Sequence, residues 1–266
     1  MKKRFILHLF IFVNLVLCFV NTAYLQTEKI FIYAYSPEIY TEKFSKLKID
    51  FDSYLSQFGS YEFQPFSNRE IFENYIKDKH QCAILLSSWH YKKIAKAYSL
   101  VPILVGVKNG SIYQKSVLVS RKQKIEITDI FTNRIASANS IEYTKSLLMA
   151  MYNLPDPDKI NRIIIVPKEI DALFSVGFGF SEIAVTSRNS LDRFKAYEPI
   201  LYQKLAIGAE SKNILLPIIA VPDGFQKDSQ TTINIIKNMT KTQAIDTIHL
   251  LGIDAWQPID LSELEN

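Results

Sequence analysis

Cysteine is scarce in this chain of 266 residues, which contains Cys18 and Cys82 and no others. Cys18 lies in an apolar N-terminal segment that we expect to be removed, and a single remaining cysteine cannot form an intramolecular disulfide. Cys82 is flanked by apolar residues in QCAILLSS, which is typical of a buried, unreactive thiol. The mature protein is therefore expected to be stabilised by its hydrophobic core alone.

The motifs of common catalytic sites are also absent. The chain has no GxSxG nucleophile elbow, no P-loop and no HExxH motif. His80, His90 and His249 are far apart, and none stands beside a second metal ligand at the usual spacing. The glycines of GFGF at 177–180 follow a predicted helix, so we interpret them as a helix end and not as a nucleotide loop. We therefore predict neither an enzyme nor a metal site, and no cofactor.

A strong excess of one charge is missing once the N-terminus is set aside. The chain has 31 Lys and Arg against 27 Asp and Glu, with a pI near 8.8. Lys2, Lys3 and Arg4 are the charged residues of the first 23, so 28 basic and 27 acidic residues remain after them. This balance indicates no basic surface, and no nucleic-acid partner is predicted.

The N-terminus has the pattern of a secretory signal peptide. Three basic residues precede an apolar run from Phe5 to Val20 that is broken by His8 and Asn14. We predict a signal peptide over residues 1–23, export of the mature chain and a periplasmic location.

Two alternatives to a cleaved signal remain open. A cut after Ala23 places Asn21 where a small residue is preferred. A lipoprotein anchored through Cys18 would have the bulky Leu17 before its cysteine. An uncleaved anchor is the other alternative, although the apolar run is slightly short for a membrane span.

Predicted strands and helices alternate along the rest of the chain. The apolar runs EKIFIYAY, YEFQPF and QCAILLSS are each followed by a helical pattern. In SNREIFENYIKDK, Ser67 and Glu70 have the spacing of a capping box. Asn109 and Gly110, between VPILVGVK and SIYQKSVLVSRK, predict a hairpin. Such alternation indicates an α/β layered fold with a largely parallel sheet.

The pattern restarts after Lys124, which indicates a second α/β unit. RIASA, NRIIIVP and SEIAVTS have the composition of strands, and helical patterns cover Ile141 to Tyr152 and the segment KEIDALFSVGFG. NILLPIIAVP is a further predicted strand, and two more helical patterns follow it. No flexible linker separates the two units, so we expect them to be joined by crossing strands that act as a hinge.

Six motifs, spread over nearly all of the mature chain, follow one another in the order found in a known protein family. They are an early strand ending in YSPE, then CAILLSSWHY, NGSIYQKSVLVSRK, EIDALFSVGFGFSEIAVTS, SKNILLPIIAVPDGF and LLGIDAWQPID. In this order the chain resembles the PhnD-like periplasmic substrate-binding proteins. These are the phosphate, phosphite and phosphonate receptors of ABC importers, and they have the type II periplasmic binding protein fold.

The resemblance implies an α/β fold of two lobes with a hinge and an interlobe cleft. Lobe 1 would consist of 27–115 plus 216–266 and lobe 2 of 120–212, with crossing segments near Ser116 to Ser120 and Leu215 to Ile219. A small-molecule ligand would bind in the cleft, and closure would be a hinge motion.

The turn between RIASA and the helix that follows it is the first candidate ligand site. The resemblance implies that the N–H groups and hydroxyls of this turn bind an oxyanion, which assigns Ser140 and the N–H groups up to Tyr143 to the site. Glu142 would repel an anion if it faced the cleft. A simple corner between strand and helix is the alternative. The histidine that the family often has before the next helix corresponds to Lys168.

Other candidate ligand-binding residues lie where predicted strands end, at the edge where open α/β sheets bind ligands. Tyr35 and Ser36 follow the first strand, with a turn before Pro37 as the alternative. Thr186 and Ser187 end EIAVTS and are candidate donors from the second lobe, although a helix cap explains Ser187 equally well.

The segment SSWHY after the third strand is predicted to form the opposite wall. Ser88 is a candidate donor, and Trp89 and Tyr91 are candidates for stacking on the ligand, with core packing of one of them as the alternative. His90 is a candidate polar ligand group. Tyr113, near the hinge, completes the set of candidates.

Two functions from different classes follow. The first is an extracytoplasmic receptor that captures a small ligand, with a phosphonate-like oxyanion as a candidate, for the permease of an ABC transporter. The second is a PhnD-like sensory protein that signals to a membrane-bound partner and whose ligand binding is altered or lost. The turn SANSIEYT favours it, because the family has a serine- and threonine-rich turn that ends in glycine, where this chain has Ile141 and Glu142. We expect a monomer in either case.

Overall fold

The computed structural model describes residues 29–35, 41–121, 124–241 and 244–264. The predicted signal peptide and Ser36 lie outside these residues. Within them, no helix combines the length and the hydropathy that crossing a bilayer requires.

Strands and helices alternate along the described chain. In chain order, the strands are β1 (Ile30–Tyr35), β2 (Tyr61–Pro65), β3 (Cys82–Leu86), β4 (Leu100–Val107), β5 (Tyr113–Gln114), β6 (Ser116–Ser120), β7 (Ile135–Ser137), β8 (Ile163–Ile165), β9 (Ile183–Ser187), β10 (Ala206–Glu210), β11 (Ile214–Leu215), β12 (Ile218–Pro222) and β13 (Ala255–Pro258). The α-helices are α1 (Thr41–Leu55), α2 (Arg69–Ile76), α3 (Ser88–Ile94), α4 (Ile127–Thr132), α5 (Ile141–Tyr152), α6 (Glu169–Phe178), α7 (Arg188–Tyr197), α8 (Pro199–Tyr202), α9 (Gln230–Asn238) and α10 (Ile245–Leu250).

Two large sheets divide these strands. The first sheet has the order β13-β4-β12-β3-β1-β2 and the second the order β10-β6-β9-β7-β8. We call the first sheet with its helices lobe 1 and the second sheet with its helices lobe 2. The two-lobe α/β architecture that the sequence predicts is therefore confirmed.

Both sheets are mixed, so the prediction of a largely parallel sheet is wrong. In lobe 1, β1 is parallel to β2 and β3, whereas β12 and β13 are antiparallel to their neighbours. In lobe 2, β7 is parallel to β8 and β9, whereas β6 is antiparallel to β9 and β10. β6 and β12 each follow a crossing, whereas β13 lies near the C-terminal end of the described chain.

The side chains of each sheet alternate between two faces, as the period of two in a strand requires. Along β1, Ile32 and Ala34 pack in one core cluster, while Tyr33 and Tyr35 pack in the cluster on the other face. The strands of lobe 2 divide in the same way between two further clusters. Each lobe therefore has a hydrophobic core on both faces of its sheet. Cys82 belongs to one of these cores, where burial raises the pKa of its thiol to about 12.

The chain crosses from lobe 1 to lobe 2 between Val107 and Ser116 and returns between Glu210 and Ile218. The two crossing segments are joined by a two-stranded ladder in which β5 pairs with β11. The first crossing therefore lies slightly before the predicted segment Ser116 to Ser120, which belongs wholly to β6. This ladder is the junction about which the lobes meet.

The hairpin predicted at Asn109 and Gly110 forms only as a local turn. Both residues have positive φ, of 50° and 76°, and Lys108 bridges to Ser111 across the turn. The flanking strands do not pair with each other, because β4 pairs with β12 and β13 and β6 pairs with β9 and β10. The turn signal is local, whereas the partners of both strands are distant in sequence.

The capping box predicted from Ser67 and Glu70 is also wrong. The N-cap of α2 is Asn68, whose side-chain oxygen accepts a hydrogen bond of 2.9 Å from the N–H of Ile71. Asparagine caps a helix at least as well as serine, and Asn68 has the extended backbone that an N-cap needs.

Candidate functional site

The turn before α5 lies at the carboxyl end of β7 and is held by its own polar side chains. Ser140 is the N-cap of α5, and its hydroxyl accepts a hydrogen bond of 3.2 Å from the N–H of Tyr143. The hydroxyl of Ser137 accepts hydrogen bonds from the N–H of Asn139 and the hydroxyl of Thr144. The predicted helix cap is thus present, while the role of Ser140 and Tyr143 in ligand binding stays a prediction.

Glu142, in the first turn of α5, reaches lobe 1. Its carboxylate forms ion pairs with Arg69 of α2 and Lys93 of α3. These two cations balance the negative charge that was expected to repel an anion in the cleft. The lobes are therefore joined by a charge cluster at the start of α5, to which Glu73 also belongs through its ion pair of 3.3 Å with Arg69.

Trp89 adds a second contact between the lobes. Its indole N–H donates a hydrogen bond of 2.8 Å to the hydroxyl of Ser146. Its ring also meets the ring of Tyr143 edge to face, with centroids 5.5 Å apart. We call Arg69, Trp89 and Lys93 of lobe 1 with Glu142, Tyr143 and Ser146 of lobe 2 the interlobe contact. The predicted opposition of Trp89 and the start of α5 is therefore present in the structure.

His90 is fully buried behind this contact. Its Nε2 lies 2.8 Å from the Oε1 of Glu73, and its ring meets that of Tyr35 edge to face at 5.2 Å. Burial lowers the pKa of His90, and the hydrogen bond and charge of Glu73 oppose this, while Arg69 and Lys93 reinforce it. The imidazole is thus held neutral within lobe 1.

This burial predicts a dependence of stability on pH. Because the pKa of His90 is lowered from its ordinary value of 6.5, the folded protein binds this proton less readily than the unfolded chain. The stability of the folded state should be complete above that value and should decline as the pH falls below it, by up to ~1.4 kcal/mol per pH unit. Urea unfolding at pH 5, 6 and 7 measures this slope. His90→Gln should reduce it, and an identical slope in the variant would show that His90 is not responsible.

The other predicted residues of lobe 1 lie around the same region. Tyr35 is buried and stacks on Phe72 at 5.7 Å. The hydroxyl of Tyr91, which is buried, donates to the carbonyl of Leu100 within lobe 1, as in the core-packing alternative. The hydroxyl of Ser88 donates to the carbonyl of Leu215 at 2.8 Å, in the second crossing segment.

Tyr113 and Thr186 are placed differently from each other. Tyr113 lies in the ladder, and its hydroxyl donates to the carboxylate of Glu263. Thr186 is 1% exposed in β9, and its hydroxyl has no hydrogen-bond partner among the described residues. The same is true of the Oδ1 of Asn139. Buried unpaired polar atoms cost about 1 to 3 kcal/mol each. Neither residue lines one of the two interlobe clefts described below, so the role of Thr186 in ligand binding stays a prediction.

A cleft of about 400 Å³ lies between the lobes at the carboxyl ends of β7, β8 and β9. We call it the basic cleft. From lobe 2 it is lined by Ala138, Lys168, Glu169, Ser187, Ser190 and Arg193, among others. From lobe 1 and the crossing segments it is lined by Lys108, Gln114, Leu216, Pro217 and residues 249–252. In open α/β sheets, ligands bind at this edge, so the basic cleft is the candidate functional site.

Positive charge is in excess in the basic cleft. The Oε2 of Glu169 accepts hydrogen bonds of 2.5 Å from the hydroxyls of Ser187 and Ser190, and Glu169 is the one carboxylate in the described lining against three Lys and Arg side chains. Lys168 and Arg193 form no ion pair with any described residue. Lys168 is also the N-cap of α6, so the partial positive charge of that helix start adds to its own. An anion of small size suits this arrangement.

The remaining cation is already neutralised. Lys108 pairs with Asp254 at 2.9 Å, and the Nε2 of His249 lies 3.9 Å from the same carboxylate. Lobe 1 therefore contributes a charge-balanced wall, and the net charge of the cleft comes from lobe 2.

Little in the sequence indicated which residues line the basic cleft. Lys168 and Glu169 follow the apolar run IIIVP, and their position directly after a predicted strand could have marked them as candidate site residues. Lys168 was named only through the family resemblance. Lys108 and His249 are 141 residues apart in the chain, and nothing in their local sequence marks them as neighbours.

No protein-family model and no curated protein sequence matches the chain. Solved structures do. A binding protein component of an ABC phosphonate transporter from Pseudomonas aeruginosa has a TM-score of 0.64 at 12% identity, over 89% of this chain and 83% of that one. PhnD1 from Prochlorococcus marinus, solved with methylphosphonate, has a TM-score of 0.63 at 13% identity, over 90% and 95%.

A third similar structure is a Xanthomonas citri protein bound to ATP, with a TM-score of 0.64 at 10% identity, over 90% of this chain and 94% of that one. Similarity at such low identity concerns the path of the backbone and not the ligand. The chain therefore has the two-lobe fold of the PhnD-like, type II periplasmic binding proteins.

Proposed function

We propose that the protein is an extracytoplasmic solute-binding receptor that captures a small oxyanion in the basic cleft and delivers it to an ABC importer. The observation that carries this proposal is the presence of Lys168 and Arg193, without ion-pair partners, at the carboxyl ends of the lobe 2 strands. Two cations and a helix start that face one cleft form a site for an anion with several oxygens.

The position of the cleft between the lobes supports a receptor. A ligand that touches both walls stabilises the closed arrangement, and a membrane partner can recognise that arrangement. The similar Pseudomonas aeruginosa protein is a binding protein component of an ABC phosphonate transporter. We propose that this chain likewise has an ABC transporter as its membrane partner. The N-terminal pattern of basic and then apolar residues supports export to the periplasm.

Neutralising the two cations should abolish tight oxyanion binding. Each charge-assisted hydrogen bond contributes about 1.5 to 3 kcal/mol, so Lys168→Met and Arg193→Met should each weaken binding by roughly 10- to 100-fold. Calorimetric titration of the mature protein with phosphate, phosphite, methylphosphonate and a cationic amine measures this. Lys204→Met, an exposed lysine of lobe 2 outside the cleft, is the matched control. Oxyanion binding that survives both substitutions, or stronger binding of the amine, contradicts the proposal.

The interlobe contact favours a second candidate function, a sensory protein that signals to a membrane partner. Glu142 pairs with Arg69 and Lys93, so side chains of the protein itself join the lobes at this point. A receptor of this kind would signal by opening. Identification of the membrane protein that co-purifies with the exported chain separates the two functions, because an importer permease supports transport and a kinase or cyclase supports sensing.

A further inference from the structure

A second interlobe cleft, of about 300 Å³, lies on the other side of the ladder. It is lined by the rings of Trp89, Tyr113 and Tyr143 and by the aliphatic side chains of Leu147, Met151 and Leu215. We call it the aromatic cleft. It shares no lining residue with the basic cleft. Tyr113 and Leu215 line the aromatic cleft, whereas their chain neighbours Gln114 and Leu216 line the basic cleft.

The polar ends of two of these aromatic residues are already satisfied. The indole N–H of Trp89 donates to Ser146, and the hydroxyl of Tyr113 donates to Glu263. A ligand in the aromatic cleft would therefore contact the ring surfaces of these two residues. Aromatic surfaces of this kind favour a flat ring that packs against them by stacking or edge-to-face contact.

The charge at the cleft is positive. Lys92 and Lys212, from lobe 1 and from the second crossing segment, line it and form no ion pair with any described residue. The one carboxylate in the lining, Glu263, is bonded to Tyr113. An occupant with a negative group beside its ring would complement both features, whereas a cation would meet two like charges.

We propose that the aromatic cleft binds a small aromatic carboxylate. Its ring packs among Trp89, Tyr113 and Tyr143, and its carboxylate lies near Lys92 and Lys212. A volume of about 300 Å³ is at the lower end of the range of small-molecule sites and suits a molecule of one or two rings. This site is separate from the oxyanion site of the proposed function and does not depend on it.

Calorimetric titration of the mature protein with naphthalene-2-carboxylate tests the site. We expect binding that is at least tenfold tighter than that of cyclohexanecarboxylate, which lacks the aromatic ring, and of naphthalen-2-ylmethanamine, which has the opposite charge. The double variant Lys92→Met/Lys212→Met should weaken binding at least tenfold, and Trp89→Leu should do the same. Both lysines are exposed, so the double variant is expected to fold normally.

Two comparisons keep the test decisive. Lys204→Met, outside both clefts, should bind the naphthoate as the wild-type protein does. Methylphosphonate should not compete with the naphthoate, because the two clefts share no residue. Any change that it causes in the Kd of the naphthoate should therefore level off at a constant value as its concentration rises. No binding of the naphthoate, equal binding of the amine, equal binding by the double lysine variant, or a Kd that rises without limit with methylphosphonate would each overturn the proposal.

Discussion

Glu142→Lys should separate the two lobes. The wild-type carboxylate lies between Arg69 and Lys93, and the substitution places a third positive charge there. These side chains are 30 to 46% exposed, so each pair contributes at most ~1 kcal/mol, and reversal adds repulsion of similar size. A total of about 2 to 3 kcal/mol changes the ratio of joined to separated lobes by roughly 30- to 150-fold. Small-angle X-ray scattering should show a larger radius of gyration.

A compensating substitution controls for this effect. Lys93→Glu in the Glu142→Lys background restores an ion pair between α3 and α5 with its direction reversed, and it should recover most of the compactness. Glu142→Gln should give an intermediate value, because it removes the attraction without adding repulsion. An unchanged radius of gyration in Glu142→Lys would show that Trp89 and the crossing segments hold the lobes together without the charges.

Phe194→Ala should cost the largest amount of stability in lobe 2. Phe194 has no exposed surface, belongs to the core between β6, β9 and the helices α6 and α7, and meets Phe174 edge to face at 5.1 Å. Removal of a buried phenyl ring costs about 3 to 5 kcal/mol, because the contacts are lost and a cavity remains. Urea unfolding followed by circular dichroism measures the change.

Phe178→Ala is the matched control for this substitution. Phe178 stacks on the same Phe174 at 5.8 Å, but 59% of its surface is exposed. Its removal should cost only about 1 kcal/mol, the usual energy of an aromatic pair without a cavity. Equal costs for the two substitutions would mean that the core of lobe 2 is not packed as described.

Several helices and strands were predictable from local signals, although the capping box at Ser67 was not. The helix Ile141–Tyr152 has the bounds expected from its N-cap Ser140 and its apolar pattern. β9 and β3 were predictable because each is a short apolar run followed by polar residues. Local propensity and periodicity act on neighbouring residues, so a single sequence contains the information that fixes these elements.

Pairing over long distances was not predictable in this way. The turn at Asn109 and Gly110 has a strong local signal, yet β4 and β6 belong to different sheets. The partners of β4 are more than a hundred residues away, and those of β6 are more than sixty residues away. The ion pairs of Glu142 depend on how two lobes meet. The sequence showed a carboxylate, Glu142, at the start of α5. It contained nothing to show that Arg69 and Lys93 pair with this carboxylate.

The ladder of β5 and β11 stands between the two clefts and forms part of both walls. Any rotation of one lobe about the ladder must therefore alter both clefts at once. An occupant of one cleft that prefers a given interlobe angle changes the affinity of the other cleft by a factor that is the same in both directions. If both occupants prefer the closed angle, the two ligands bind with positive heterotropic cooperativity, even though no atom of one site touches the other.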